Sequence, residues 1–490
     1  MPRGTFTVQK NSSKPPVSAS TPTPHDAERV TFGRAAGRMG DMSRDTAADE
    51  PTGNPSVRGE PVDVAAEVVE ICRNLIRIDT TNVGDDTGPG ERKAAEYVAE
   101  LLEEVGIATE IVEITPGRTN LVARWEGTDP SLPPLLLHGH LDVVPAQASD
   151  WRYDPFSGEI DGGYLHGRGA VDMKDFDAMM LSVVRARQRA GMRPRRTVVL
   201  AFTADEEAGS LHGAHQIVSE RPDLLEGVTE AVGEVGGFST YVGDRRLYLI
   251  ESGEKGLAWM RLHAVGTAGH GSMIQPDNPV TAIAEAVRAI GAYDWPTDPG
   301  PSMRTLLDTI RELSGDTGAD DDATLAHIGP AARMIGAGLR NITNPTMLDA
   351  GYKVNVVPGE ASAAVDGRYL PGQQETFVAE VQRIVGERVT VEPITVQPAL
   401  EYPFAGDLVD AMTVSLHTED PEAAVAPYLM SGGTDAKAWD RLGIRSYGFA
   451  PLRLPSDLDF TALFHGIDER VPTDALEFGA RVLHRFLDLA

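Results

Sequence analysis

A single cysteine, Cys72, stands among the 490 residues. One thiol cannot close an intrachain disulfide, so no cystine framework supports this chain. The count fits a reducing compartment, and a cytoplasmic location is expected. No stretch approaches the roughly 18 consecutive apolar residues of a membrane-spanning helix, which excludes an integral membrane protein of that kind. Positive charge is also scarce. Lys and Arg number 44 against 73 Asp and Glu, for a formal net charge of −29. Such a surface repels phosphate backbones, so nucleic acid is not an expected partner. No repeat period is visible. What remains is 41% hydrophobic and 24% charged, the composition of a folded soluble chain. At roughly 150 residues per domain, its length suggests about three domains.

Residues 1–60 stand apart. They hold seven prolines, many Ser, Thr and Gly, and eight basic against seven acidic residues. The acidity therefore belongs to the rest of the chain. This segment cannot bury enough surface to offset its ordering entropy, and a disordered tail is expected. It lacks the apolar core of a signal peptide. Met39 and Met42 are candidate translation starts.

From Val62 the pattern turns periodic. Val64, Val68, Val69, Cys72, Leu75 and Ile76 lie at helical spacing, and 91–105 is a second amphipathic helix ending near Gly106. Strand-like runs come next at 107–114, 119–125 and 134–138. Then come a helix at 174–189, a strand at 197–203, a helix near 211–219 and a strand near 229–233. Strands alternating with helices predict an α/β fold, a mostly parallel sheet flanked by helices. Beyond Gly253 the order becomes strand 257–265, helix 278–293, strands 352–357 and 361–369, helix 373–388 and strand 389–397. That β-α-β-β-α-β order predicts an inserted ferredoxin-like α+β unit. Its long polar stretch 294–350 offers only a helix at 302–314. The α/β pattern resumes with a strand near 444–449 and a helix at 473–489. The expected organisation is a tail (1–60), a catalytic domain in two parts (62–252 and 398–490) and an inserted domain (253–397).

The chemistry-bearing residues fall where sheet strands end, where open α/β sheets bind ligands. In PLLLHGHLDVVP (134–145), His140 leaves an apolar strand and Asp142 lies two residues on. Imidazole is a common zinc ligand, and a nearby carboxylate can hold its second nitrogen. His138 shares the strand face and is the decoy. In GRGAVDMKD (167–175), Asp172 sits in a Gly-rich turn that starts a helix, where it could equally be an N-cap. TADEEAG (203–209) sets Glu206 and Glu207 at a strand end. One of the two can bind metal while the other acts as a base. GEVGG (233–237) carries Glu234, and FHGIDER (464–470) carries His465. Each alone reads as a solvated or capping residue. Together, two His and three carboxylates at successive strand ends point to two divalent cations. Asp172, Glu207, Glu234 and a bridging hydroxide would balance their charge, avoiding a buried net charge. Oxygen and nitrogen donors suit Zn²⁺, with Mn²⁺ or Co²⁺ able to substitute.

In these motifs and their order, the stretch from about residue 62 to 490 resembles the M20 metallopeptidase family. Its members include aminoacylase, carboxypeptidase G2, acetylornithine deacetylase and succinyl-diaminopimelate desuccinylase. The resemblance implies a zinc-binding α/β domain with an inserted lid that mediates dimerisation. It implies that His140 binds one metal, oriented by Asp142, and that Asp172 bridges both. Glu206 would be the general base and Glu207 a ligand of the second metal. Glu234 would complete the first metal site and His465 the second. GTAGHGS (266–272) matches the lid pattern, so His270 would stabilise the oxyanion, typically in the partner's site. In KVNVVPGEASAAVDGRYLPG, Asn355 and Arg368 would hold the substrate's carbonyl and carboxylate. SGGTDA (431–436) resembles the carboxylate loop, with Gly433 and Thr434 as contacts. The chain departs from the family in reading DMKDF for DMKGG and GEVGG for NEGG, and neither change removes a ligand.

The expectation is a dinuclear-zinc hydrolase, acting as a homodimer on the amide bond of a small peptide or N-acyl amino acid with a free carboxylate. The alternatives are a non-catalytic metal- or small-molecule-binding relative, and a carbamoyl-amide hydrolase on the same scaffold. Retention of Glu206 beside a complete ligand set speaks against the first, because a binding protein needs no extra carboxylate.

Overall fold

The structure is a computed structural model. It describes residues 62–85 and 87–490, and the expectation for residues 1–60 lies outside them.

Two sheets organise the described chain. The larger has ten strands. Along it run Thr109–Val112, Asn120–Trp125, Val198–Thr203, Leu135–His140, Glu230–Gly233, Arg445–Gly448, Arg245–Glu254 and Leu400–Glu401. Ala424–Met430 and Phe238–Val242 also pair with Arg245–Glu254. The middle of this sheet, from Val198–Thr203 to Arg445–Gly448, is parallel. The pairs flanking it are antiparallel.

The central strands are apolar throughout because both sheet faces are covered. Leu135 and Leu137 face one core, which includes Val183 and Val184 of the helix Lys174–Arg189 and Leu483 and Phe486 of the helix Thr473–Leu489. Leu136 faces a second core with Ile217, Val218 and Trp439. A small sheet of Glu159–Asp161, Tyr164–His166 and Arg470–Pro472 joins the late chain to the loop before residue 172.

The inserted unit is a four-stranded antiparallel sheet ordered Ile342–Ala350, Glu360–Tyr369, Gly256–Val265, Thr390–Gln397. The helices Pro279–Gly291 and Gln374–Val385 bury Ile283, Ile290, Phe377 and Val381 against it. The β-α-β-β-α-β order is present, with one correction. The second strand is Ile342–Ala350, not 352–357. Only Val356–Val357 of that range is strand, and it pairs with Gly269–His270. The sequence ITNPTMLDA hides its strand because it is an edge. Pro345 costs nothing there, and a bulge between Pro345 and Met347 breaks the alternation.

A second correction concerns 253–397. The helix Pro301–Ser314 sends Met303, Leu306, Leu307 and Ile310 into the large core, joined there by Leu325, Ile328 and Ile335. The chain therefore leaves the small sheet after Pro279–Gly291 and returns to it only at Ile342.

Candidate metal centre

His140 ends its strand with its side chain 1% exposed. Its Nδ1 lies 2.9 Å from the Asp142 carbonyl oxygen and 3.5 Å from the Asp142 carboxylate. Both are acceptors, so Nδ1 carries a proton, which leaves Nε2 as the nitrogen that could ligate a metal. That Nε2 lies 3.1 Å from Asp172 and 3.5 Å from Glu234. On the other side of Asp172, His465 Nε2 lies 3.3 Å from the second carboxylate oxygen and 3.0 Å from Glu207. Two donor groups result, His140–Asp172–Glu234 and Asp172–Glu207–His465, each with its donor atoms within 4.8 Å of one another. Asp172 belongs to both. Glu206 belongs to neither, although its carboxylate stands 3.9 Å from His140 Nε2.

The loops that aim these groups are tightly held. Asp142 accepts the backbone N–H groups of Glu206 and Glu207, each at 3.1 Å, and the Asn82 amide at 2.9 Å. Asp205 and Val235, neighbours of Glu206 and Glu234, adopt left-handed backbone at φ 65° and 53°, and His465 does so at 57°. For a β-branched valine this conformation is strained, and strain of that kind gathers at functional sites. Glu469 fastens the last loop. It accepts from the backbone of Gly169 and Val171 and from Arg168, which also reaches the carbonyl of His465.

The acids crowd one another. Burial, then the coulombic push of Glu234, raises Glu206 well above the usual carboxylate range. Burial and Asp172 raise Glu207. Burial raises Glu234 to about 8, with His140 opposing. Hydrogen bonds to Asp172 and Glu207 raise His465 to about 10. A cluster that draws protons this strongly is short of positive charge. One Glu207 oxygen, Oε1, is buried without a hydrogen-bond partner. Two sets of nitrogen and oxygen donors sharing a carboxylate fit a pair of divalent cations.

His138 is outside both sets. It packs edge-on against Trp439 with ring centroids 5.7 Å apart, and burial lowers its pKa to about 3. The residues expected on a lid lie elsewhere. Exposed His270 hydrogen-bonds Ser272 at 2.8 Å, and the exposed Asn355 shares its tip, accepting the Gly271 N–H on its carbonyl at 2.9 Å. Arg368 is held by Asp366 on its own strand at 2.8 and 3.2 Å. Among the described residues these three make no hydrogen bond or ion pair to the metal-centre residues. Gly433 is exposed. The Thr434 hydroxyl donates to Glu254, and Asp435 accepts from Thr203 and Ser210 at 2.6 Å each.

Sequence reasoning missed the supporting residues Asn82, Arg168, Asp435, Lys437 and Glu469. Arg168, Asp435 and Glu469 lie within the ligand-bearing and carboxylate-loop motifs, and their polarity inside Gly-rich loops was the available signal.

The fold and the paired donor sets define a metallohydrolase of the α/β class. Residues 136–489 match the family model "Peptidase family M20/M25/M40", and the chain belongs to that family. It is a hydrolase acting on C–N bonds. It is 29% identical over 379 residues to a probable carboxypeptidase S-like 2 of Dictyostelium discoideum, covering 72% of this chain and 70% of that one. It is 26% identical over 433 residues to mouse (Mus musculus) aminoacylase-1, covering 83% and 91%. Among solved structures, the M20 metallo-carboxypeptidase Sso-CP2 of Sulfolobus solfataricus superposes with a TM-score of 0.64 at 19% identity, covering 86% of this chain and 99% of that one. A Bacillus subtilis M20 protein described as a dinuclear metal-binding peptidase gives 0.56 at 13% identity, covering 86% and 97%.

Proposed function

We propose that this protein is a two-metal, zinc-dependent hydrolase that cleaves the amide bond of an N-acyl amino acid or small peptide bearing a free carboxylate. The observation that carries this reading is Asp172 standing between two complete donor sets, with the non-ligand carboxylate of Glu206 beside them. His140, Asp172 and Glu234 would hold one cation, and Asp172, Glu207 and His465 the other. When bound, such a pair supplies Lewis acidity, lowering the pKa of water from about 15.7 to about 7 and polarising the scissile carbonyl. Glu206 accepts the proton of the attacking water and delivers it to the leaving nitrogen. Asp142 keeps His140 in one tautomer and keeps the turn carrying Glu206 in place. Gly433 and Thr434, beside the strand end at Thr203, receive the substrate's carboxylate. His270 and Asn355, together on one exposed tip, serve the carbonyl oxygen, and Arg368 gives a second carboxylate contact once Asp366 releases it.

Two copies pair through the small domain. Its edge strand Ile342–Ala350 is open, with Met347 and Leu348 71% and 61% exposed. Pairing there would let the His270 tip of one copy serve the partner's site. Cys72, buried and unpaired, supports a reducing location such as the cytoplasm.

A panel of N-acyl amino acids and dipeptides, assayed with Zn²⁺, Co²⁺ and Mn²⁺, tests the reading. Glu206→Gln should lower turnover by about 10²–10⁴-fold and leave metal content unchanged. Wild-type turnover in that variant would remove Glu206 from the chemistry.

A further inference from the structure

Three of the points at which the chain crosses between the two sheets are neighbours. Arg245–Glu254 runs into Gly256–Val265, Thr390–Gln397 runs into Leu400–Glu401, and Arg340 precedes Ile342–Ala350. Two buried lysines sit among these crossings. Lys437 is 3% exposed. Its ammonium donates to the backbone carbonyls of Lys255 at 3.0 Å and Pro398 at 3.2 Å, and lies 2.8 Å from the Glu254 carboxylate. Lys255, fully buried, donates to the carbonyls of Ala337 at 2.9 Å and Arg340 at 2.6 Å. Two buried lysine side chains thus join these three crossings.

The same short segment also reaches the metal centre. Thr434, three residues before Lys437, donates to the other Glu254 oxygen. Asp435, 2% exposed, accepts from Thr203, which stands opposite His140 in the parallel ladder. Residues 434–437 are therefore bonded on one side to the strand that aligns His140 and on the other to the crossings at Glu254–Lys255 and Pro398. A buried ammonium is a costly way to hold backbone unless its position matters, because each lost partner leaves an uncompensated charge.

We propose that Lys437 is a positioning residue. It locks the angle between the small domain and the metal centre, so that the groups carried by the small domain arrive in register with the bound substrate. The kinetic part of this inference rests on the amide-hydrolase reading above, whereas the geometric part stands without it.

Lys437→Met removes the contacts to the carbonyls of Lys255 and Pro398 and to Glu254, and touches no candidate metal ligand. Two spin labels on cysteines introduced at exposed Leu211 and Val265 report the distance between the two domains in the zinc-loaded, full-length protein. In the variant the distance distribution should broaden. On the best N-acyl amino acid of the panel, kcat per bound metal should fall about tenfold or more, while KM changes less than twofold. Lys437→Arg, which keeps a cation able to reach the same carbonyls, should recover part of kcat and narrow the distribution. Should Lys437→Met not fold, Glu254→Gln drops the charged pair while leaving the carbonyl contacts, and it should broaden the distribution in the same direction. A distribution as narrow as wild type in a folded variant, or an unchanged kcat, would overturn the proposal. If the wild-type protein hydrolyses nothing in the panel, the amide-hydrolase reading fails, and the distances still decide the hinge.

Discussion

Asp142 shows how one carboxylate can serve two functions. It faces His140 Nδ1 and also accepts the N–H groups of Glu206 and Glu207, linking a member of one donor set to the proposed base and to a member of the other. The first role was legible in HGHLD, where a carboxylate two residues past a histidine suggests tautomer control. The second was not, because it depends on a turn 64 residues away folding over it. Asp142→Asn keeps the shape and loses one acceptor. Chelator competition should show metal affinity reduced about 10–100-fold, and unchanged affinity would restrict Asp142 to packing. Lys255 was likewise invisible in sequence, since a lysine at a strand boundary reads as surface. Burial, then Arg368 and Arg340, lowers its pKa from 10.5 to about 7. Between those values the unfolded chain holds a proton that the folded chain has released, so stability rises with pH through that window and is lost as pH falls back to 7. Urea unfolding of wild type and Lys255→Met between pH 7 and 10 should therefore diverge, wild type gaining relative to the variant as pH rises. A constant gap would mean that the ammonium stays charged throughout.

At the scale of elements, the helices and buried strands were readable because one period dominates each. The helix predicted at 174–189 is Lys174–Arg189, and the one at 473–489 is Thr473–Leu489. Arg245–Glu254 and Ala424–Met430, which pair with each other in the large sheet, were missed. Their burial comes from tertiary neighbours that no local pattern announces. The parallel strand ends also depend on glycine for a reason their sequence does not state. A Cβ on Gly233 would lie 2.3 Å from His138 Nε2, and that ring is fixed against Trp439. Gly233→Ala should therefore cost about 1–3 kcal/mol by overpacking, read as a lower urea midpoint at constant m-value. The clash has a named partner. The double variant with His138→Ala should lose less than the sum of the two single losses, and strict additivity would place the strain elsewhere.

For the molecule as a whole, the pattern change near residue 253 falls where the chain passes from the large sheet to the small one, but it could not tell that the chain interrupts the small sheet. Pro301–Ser314 reads as one more amphipathic helix, and only the fold decides that its apolar face joins the large core. This detour gives the small sheet a crossing at Arg340 in addition to those near Glu254 and Pro398, so the small domain is anchored at several points. An anchored domain with an open edge suits the proposed pairing of two copies. Ile342–Ala350 presents unpaired backbone and the exposed side chains of Met347 and Leu348, the kind of edge that natural proteins cover or charge. Sedimentation of wild type should give a dimer. Leu348→Lys, placing a charge on that edge, should shift the population toward monomer without lowering the thermal midpoint of the monomeric fold. If the His270 tip acts on the partner's site, activity per chain should fall with dilution in step with the dimer fraction. Mixing inactive Glu206→Gln with inactive His270→Ala should then restore part of the turnover, because one of the two sites in each mixed dimer is complete. Failure of that mixture to recover activity, with mixed dimers demonstrated, would confine His270 to its own chain.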